Sequence, residues 1–326
     1  MPSSSTETAD TAARGGTVPS GPSRHHGRGN RAQRRPGRRS GWLPLAYLLP
    51  AFAVYAAFLL YPLIRSAQFS LYEYDGATLG TFVGLANYAD VLGDPDLRAS
   101  FGHALVLIGF YAVLPVLLGL PLAALLTRAK VRGLAFFRTV VFLPQVVAMV
   151  VVAVAWRRIY DPDGPLNGAL RAIGLDGLTR GWLGDYTLAL PAVGLIGTWV
   201  QLGLVTVLLM AGMSRIPSER YEAARLDGAS PAREFFAVTL PAVRGEVAVA
   251  LTLTIIAALK TFDLIYVTTS GGPGNSTSVP SYEVYRRAFE LGEVGSATAV
   301  AVVLTALIFL ISLGVNRIAD RESGSE

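Results

Sequence analysis

Six apolar stretches recur along the chain, near Leu43 to Ile64, Ala104 to Leu126, Leu134 to Trp156, Leu188 to Met210, Val247 to Val267 and Ala297 to Val315. Each holds about 20 residues, which as a helix crosses roughly 30 Å of hydrocarbon. Unbroken runs such as "VVAMVVVAVAW", from Val146, lack the in-and-out alternation of a membrane barrel. Hydrocarbon tolerates only backbones that satisfy their own hydrogen bonds. The pattern predicts an all-α integral membrane protein with about six transmembrane helices.

Between the fourth and fifth runs the pattern changes. "YEAARLDGASPAREFFAVTLP", Tyr221 to Pro241, is polar, charged and helix-forming. It reads as two short helices joined at a glycine. Ser218, after Pro217, is placed to accept hydrogen bonds from the amides that open the first helix, and Glu219 and Glu222 put negative charge where the helix dipole favours it. Ala223 and Ala224 propagate that helix, and Asp227-Gly228 ends it, because glycine takes the left-handed conformation without a side-chain clash. Ser230-Pro231 supplies a cap and a first helical residue for the second helix, which Pro241 is expected to stop. Two uses fit such a segment. One is an amphipathic hairpin on the membrane surface, with Phe235 and Phe236 in lipid. The other is a protruding docking element, favoured by the small pairs Ala223-Ala224 and Gly228-Ala229, which let a partner's backbone approach closely.

Composition agrees with the bilayer. The chain has 326 residues, 52% of them hydrophobic and 16% charged, with a mean hydropathy of +0.45. Its net charge of +5 comes from arginines in the N-terminal tail and short loops rather than from a folded basic face, so no nucleic acid is expected as a partner. The absence of cysteine excludes disulfides, zinc ribbons, iron–sulfur clusters and thiol nucleophiles, and with His25, His26 and His103 the only histidines, no metal site is expected. Lys130 and Lys260 are the only lysines and neither follows a glycine, so the G-x-x-x-x-G-K-[ST] phosphate loop is missing. If ATP is used, another chain binds it.

Residues 1–40, rich in Ser, Gly, Pro and Arg, carry too little apolar surface to offset the entropy of ordering and read as a disordered basic tail. They fit a secretory signal poorly, so the first apolar run is expected to stay as an anchor. Residues 41–320 read as the transmembrane domain, with the polar loop at 213–244 inside it and a short tail at 321–326. Basic residues mark the tail (Arg24, Arg28, Arg31, Arg34, Arg35, Arg38, Arg39), the second loop (Arg128, Lys130, Arg132) and the fourth (Arg215, Arg220, Arg225, Arg233, Arg244), all on one side if six helices alternate. The intervening loops carry Glu73, Asp75, Asp90, Asp94 and Asp96, then Asp161, Asp163, Asp176 and Asp185. Both termini and the polar loop are expected in the cytoplasm.

"EAARLDGAS" followed by Leu240-Pro241 resembles the EAA loop of bacterial binding-protein-dependent ABC importer permeases. The resemblance extends over roughly Leu45 to Val315. "FVGLANYADVL" at Phe82, "FLPQVVAMVVVAVAWRRIYDPDGPLN" at Phe142, "IPSERYEAARLDGAS", and "LKTFDLIYVTTSGGPGNST" at Leu259 are similar to carbohydrate-uptake permeases of the maltose, glycerol-phosphate and multiple-sugar type. The "FDLIYVTTSGGP" run looks like the first permease of such heterodimers, although Ser270 stands where the family usually has a third glycine. The resemblance implies that the polar loop is a cytoplasmic coupling element seated on an ATPase. Glu222, Ala223, Ala224 and Gly228 would shape that contact, with Leu226, Asp227 and Ala229 beside them. It also implies a second permease subunit, an ABC ATPase dimer that binds the ATP and magnesium, an external or lipid-anchored solute-binding protein, and a sugar as the solute. This chain itself would carry no cofactor.

Ionisable residues inside spanning helices invite a functional reading. Lys260 and Asp263 lie three apart in the fifth run, close enough for an intrahelical pair, with lining the solute pathway as the other reading. Gln145, Thr198, Trp199 and Gln201 are polar or amphipathic residues in or near the third and fourth helices. They could contact sugar through amide bonds or an aromatic face, or serve helix packing instead. Pro144 reads as a loop proline at the membrane boundary, or as a kink beside Gln145. Gly271 to Asn275 cannot continue a helix and should form an external turn, which by the resemblance lies near the docking surface of the binding protein. Asn275-Ser276-Thr277 fits a glycosylation pattern that a bacterial setting makes incidental.

Three rivals remain open: an ABC permease for a non-sugar solute, a self-sufficient secondary carrier, and an intramembrane enzyme. A carrier usually has more helices or paired acids at the midplane. An enzyme would need a nucleophile or metal motif, yet neither H-E-x-x-H nor G-x-S-x-G occurs.

Overall fold

The computed structural model describes residues 43–128 and 133–323. The basic tail, the loop residues Lys130 and Arg132, and residues 324–326 lie outside the described residues. The chain divides into two units, Met1–Val54 and Tyr55–Glu326. In the first unit the described residues are the apolar start of the helix Leu43–Tyr55.

The second unit is built almost wholly of helices. Four are long and apolar enough to cross a membrane: Tyr47–Phe69, which begins in the first unit, Pro95–Thr127, Ala189–Met213 and Val294–Val315. Two bent pairs bring the count to six if each is taken as one span: Ala135–Val146 with Met149–Ile159, bent by 100°, and Pro231–Ala242 with Arg244–Leu259, bent by 68°. In chain order these are the first to sixth spans. The protein is an all-α membrane protein, as its apolar pattern predicts, but two of its six runs are broken.

The third run does not break at its proline. Pro144 is buried inside the helix Leu134–Val146, so it is no loop residue, and the chain turns at Val147 and Ala148, whose ψ angles are 135° and 133°. The fifth run is also discontinuous. Its helix Arg244–Leu259 stops at Lys260, and a short helix resumes at Asp263–Thr268. Lys260 and Asp263 therefore flank a break and do not share one helix. Among the described residues neither has an ion-pair partner within 4.0 Å.

The fourth span is the hub of the packing. Lipid tails are as apolar as leucine, so spanning helices associate through close packing, which small residues permit. A Cβ at Gly197 would lie 1.9 Å from the Tyr111 ring, and one at Gly203 would lie 2.5 Å from the Val141 carbonyl oxygen. These two glycines bring the second and third spans against the fourth. Thr198 adds a polar staple, its hydroxyl donating to the Phe110 carbonyl at 2.6 Å.

Outside the spans, Tyr72–Glu73 pairs antiparallel with Thr81–Phe82, a small hairpin that the apolar pattern does not announce. Asp75 closes its turn by accepting from the Ala77 and Thr78 amides, and those bonds hold its carboxyl down at about 2. The glycine-rich segment forms the expected turn, with Ser270, Gly271, Gly274 and Asn275 all at positive φ.

Candidate functional site

The polar loop folds as two helical halves with different surroundings. Its first half, Ser218–Leu226, has no buried residue. Pro217, not Ser218, occupies the capping position, and no side chain caps this helix, because Ser218 is already its first helical residue. The helix ends at Asp227, and Gly228 follows at φ +76° with open space around it. Ser230 then caps the second half, accepting from the Arg233 amide at 3.4 Å. That half runs Pro231–Glu234, widens through a π-helical turn at Phe235–Thr239 and finishes as Leu240–Ala242. Pro241 sits within this last turn, so the chain breaks two residues later than expected, at Val243.

The second half is pressed onto the spans. Phe235 packs against a cluster that includes Leu209, Met213 and Val243. Phe236, 65% exposed, joins Phe235 and Leu240 in lining an apolar groove of about 770 Å³ against Leu117, Leu120 and Leu125 of the second span. The membrane-surface role read for Phe235 and Phe236 thus fits this half only. The first half is exposed, and its ties to the second include two side-chain contacts. Arg225 Nε donates to Glu234 Oε1 at 2.8 Å, with Glu234 only 4% exposed, and Tyr221 Oη lies 3.1 Å from Thr239 Oγ1. The hydrogen bond and charge of Glu234 raise the pKa of Arg225. Arg225, Glu234, Tyr221 and Thr239 were not legible as functional residues. The signal for them lies in the spacing, since each pair straddles the Gly228 turn.

An open groove of about 940 Å³ runs beneath the exposed helix, lined by Ala223, Ala224 and Asp227 on one side and by Pro241, Arg244 and Glu246 on the other. Glu222, Gly228 and Leu226, the last 89% exposed, are open to solvent, while Ala229 is half-buried in the turn. The two alanines put little bulk into the groove, so a partner reaching it would meet helix backbone at close range.

The expected pathway residues separate into three places. Thr198 is buried and committed to the Phe110 and Gly194 carbonyls, a packing role. Trp199, 43% exposed, meets Trp156 edge-on at 5.6 Å, and Trp156 continues to Tyr160 at 5.1 Å. Gln201 is buried in the fourth span, and Gln145 sits just before the bend of the third, its buried Oε1 without a hydrogen-bond partner. Lys260 and Asp263 are exposed on either side of the break in the fifth span.

That break lies inside the fifth apolar run, between the helices Arg244–Leu259 and Asp263–Thr268. Irregular backbone within a spanning run survives only where protein or an aqueous cavity surrounds it. Here Thr261 is buried, its hydroxyl 3.1 Å from Tyr111 Oη, and its carbonyl accepts from Ser281 Oγ. Beside the break lies an aromatic group that the sequence reading missed. Phe262 stacks on Tyr266 at 5.3 Å, Tyr285 touches both at 5.3 and 5.1 Å, and Phe289 extends the row at 5.4 Å.

A multi-pass helical bundle with two bent helix pairs and a polar two-helix loop fits a membrane transport component. Residues 115–323 match the family described as the binding-protein-dependent transport system inner membrane component, and the chain belongs to it. It is 38% identical over 287 residues to the probable ABC transporter permease protein YurN of Bacillus subtilis, covering 87% of this chain and 97% of that one. It is 34% identical over 289 residues to the diacetylchitobiose uptake system permease protein NgcF of Streptomyces coelicolor, covering 82% and 81%. The fold is that of a bacterial ABC transporter crystallised for its import of the acidic polysaccharide alginate, with a TM-score of 0.73, 24% identity, and coverage of 86% of this chain and 96% of that one. The family is one of transport permeases, not catalytic subunits.

Proposed function

We propose that the chain is one permease of a heterodimeric ABC importer for a sugar or related solute, and that the loop at 213–244 is its contact with the ATPase. One observation carries this reading: a polar helix with no buried residue, Ser218–Leu226, stands on the Arg225–Glu234 bridge above an open groove. A helix meant for lipid would expose apolar bulk instead. Glu222, Ala223, Ala224, Leu226, Asp227, Gly228 and Ala229 form the contact, and ATP and magnesium sit on the partner.

The basic residues Arg215, Arg220, Arg225, Arg233 and Arg244 support a cytoplasmic side for this loop and, with six spans, for both termini. The hairpin, the glycine-rich turn and the helices beside them then face outside, toward a solute-binding protein. A sugar is supported by the name of the diacetylchitobiose permease and by chemistry at the break in the fifth span. Lys260 and Asp263 are charges that lipid would not accommodate, and the neighbouring aromatic faces suit stacking on sugar rings. Gln145 and Gln201 remain with the pathway on their amide chemistry, and Trp199 on its exposed ring, whereas Thr198 is assigned to packing. ATP-driven closure of the ATPases moves the loop, and the permease pair alternates its access.

The test is a pull-down of the detergent-solubilised chain from its native cells, alongside Glu222→Ala and Gly228→Val. The wild type should bring an ATPase and a second permease, and both variants should lose the ATPase. Recovery of the chain alone, unaffected by either change, would move the reading to a self-sufficient carrier.

A further inference from the structure

A ring of charged and polar side chains joins the outer ends of three spans, and nothing in the function above uses it. Asp94 begins the second span with both carboxylate oxygens engaged. Its Oδ1 accepts from the Asp96 amide at 2.8 Å and the Leu97 amide at 3.4 Å, capping the helix, while its Oδ2 accepts from Arg287 Nη2 at 2.7 Å. Arg287, whose side chain is only 13% exposed, also donates through Nη1 to Glu293 Oε2 at 3.2 Å and to Ser296 Oγ at 2.9 Å, at the start of the sixth span. Its Nε lies 4.0 Å from Glu283, a carboxylate 1% exposed that accepts from Ser278 Oγ at 2.6 Å and Arg286 Nη1 at 3.1 Å. Arg286 reaches Asn275 Oδ1 at 3.4 Å, and Asn275 Nδ2 donates to Asp96 Oδ2 at 3.2 Å, which closes the ring on the second span.

The segments so joined are distant in sequence. Asn275 and Ser278 belong to the turn that continues the fifth span, Arg286 and Arg287 to the connection that follows it, and Glu293 and Ser296 to the sixth span. A planar guanidinium donates in several fixed directions at once, so Arg287 holds two spans in one geometry as a lysine would not. Buried charges are kept only when paired: Glu283 keeps Arg286 and Arg287 as cations on its own helical segment, and separating the spans would break the Arg287 bonds to Asp94 and Glu293.

We infer that Asp94 and Arg287 are positioning residues that make the outer ends of the second, fifth and sixth spans one rigid cap. Loop-driven movement of the fifth span is then delivered to the other two together, a role that rests on the importer reading. Asp94→Asn separates the two duties of that side chain: the amide oxygen still caps the helix, while the charge that holds Arg287 is gone.

The experiment uses the complex purified from native cells with its ATPase, trapped by ATP and orthovanadate. Because this chain has no cysteine, spin labels can be placed at chosen positions, with the unsubstituted chain labelled in parallel to account for partner cysteines. Labels at Arg98→Cys and Glu290→Cys, two exposed positions on the cap, report its internal distance. Labels at Glu219→Cys and Glu290→Cys report loop against cap. On trapping, the loop-to-cap distance should shift while the internal distance stays fixed. In Asp94→Asn the internal distance should shift or broaden, and Glu293→Gln, which removes only the sixth-span arm, should do so more weakly. A shift of the internal distance in the wild type, or an Asp94→Asn distribution identical to wild type, would overturn the rigid cap. A loop-to-cap distance that ignores trapping would instead sink the importer reading, and this proposal with it.

Discussion

At Gly228 the reason for a glycine is conformational, not steric. Its φ of +76° is left-handed, and a Cβ there would meet nothing within 4 Å. A non-glycine residue in that region costs roughly 1–2 kcal/mol, and a β-branched one is worse placed still. Gly228→Val should therefore reach the membrane at normal levels yet lose solute uptake, because the turn that poises the exposed helix is strained. Gly228→Asn, whose short polar side chain tolerates the same conformation, should retain most of it. Uptake by cells with matched amounts in the membrane fraction checks both, and normal uptake by the valine variant would count heavily against the loop's assigned role. The Gly228 turn was readable from the sequence, and so was the Ser230 cap. Ser218 was not, because "PSER" permits helix entry at either residue, and the structure starts the helix one position earlier than a serine cap requires.

Among the elements, the fourth span bears most of the packing, and its glycines can be ranked. Gly197→Ala drives a methyl into the Tyr111 ring, which in turn carries the hydroxyl contact to Thr261 at the break. Overpacking of this kind costs about 1–3 kcal/mol. Gly109→Ala, in helical backbone with open space around it, should be close to neutral. Heating the solubilised protein and measuring what stays monodisperse on size exclusion should separate the two. Glycine positions are visible in sequence, but the ring each one faces is not. The same limit explains the broken spans. "VVAMVVVAVAW" is apolar throughout, so a hydropathy pattern counts one span where the backbone turns by 100°. Pro144 misdirects, since the bend falls beyond it. Lys260 and Asp263 read as a helical pair because spacing alone cannot reveal that the helix has ended between them. The six runs, their order and the polar loop were all legible. The ring around Arg287 was not, because its members come from segments nearly two hundred positions apart.

For the whole molecule, the reading assigns transport to residues beyond the basic tail. Deleting Met1 to Arg35 should change neither ATPase recovery in a pull-down nor solute uptake once expression is matched. A specific loss of the ATPase would give the tail a docking role. The bend at Val243 has a mechanical consequence of its own. Val243 is fully buried and joins the loop's second half, Pro231–Ala242, to the helix Arg244–Leu259 across an angle of 68°. Measured from it, the loop arm is about 18 Å long and the span arm to Lys260 about 24 Å. If an ATPase pushes the loop, as proposed, and both arms turn about that pivot together, a push of about 3 Å at the far end of the loop arm becomes a swing of about 4 Å at the break beside Lys260. A push on the loop would then reach the fifth apolar run with a stroke about a third longer.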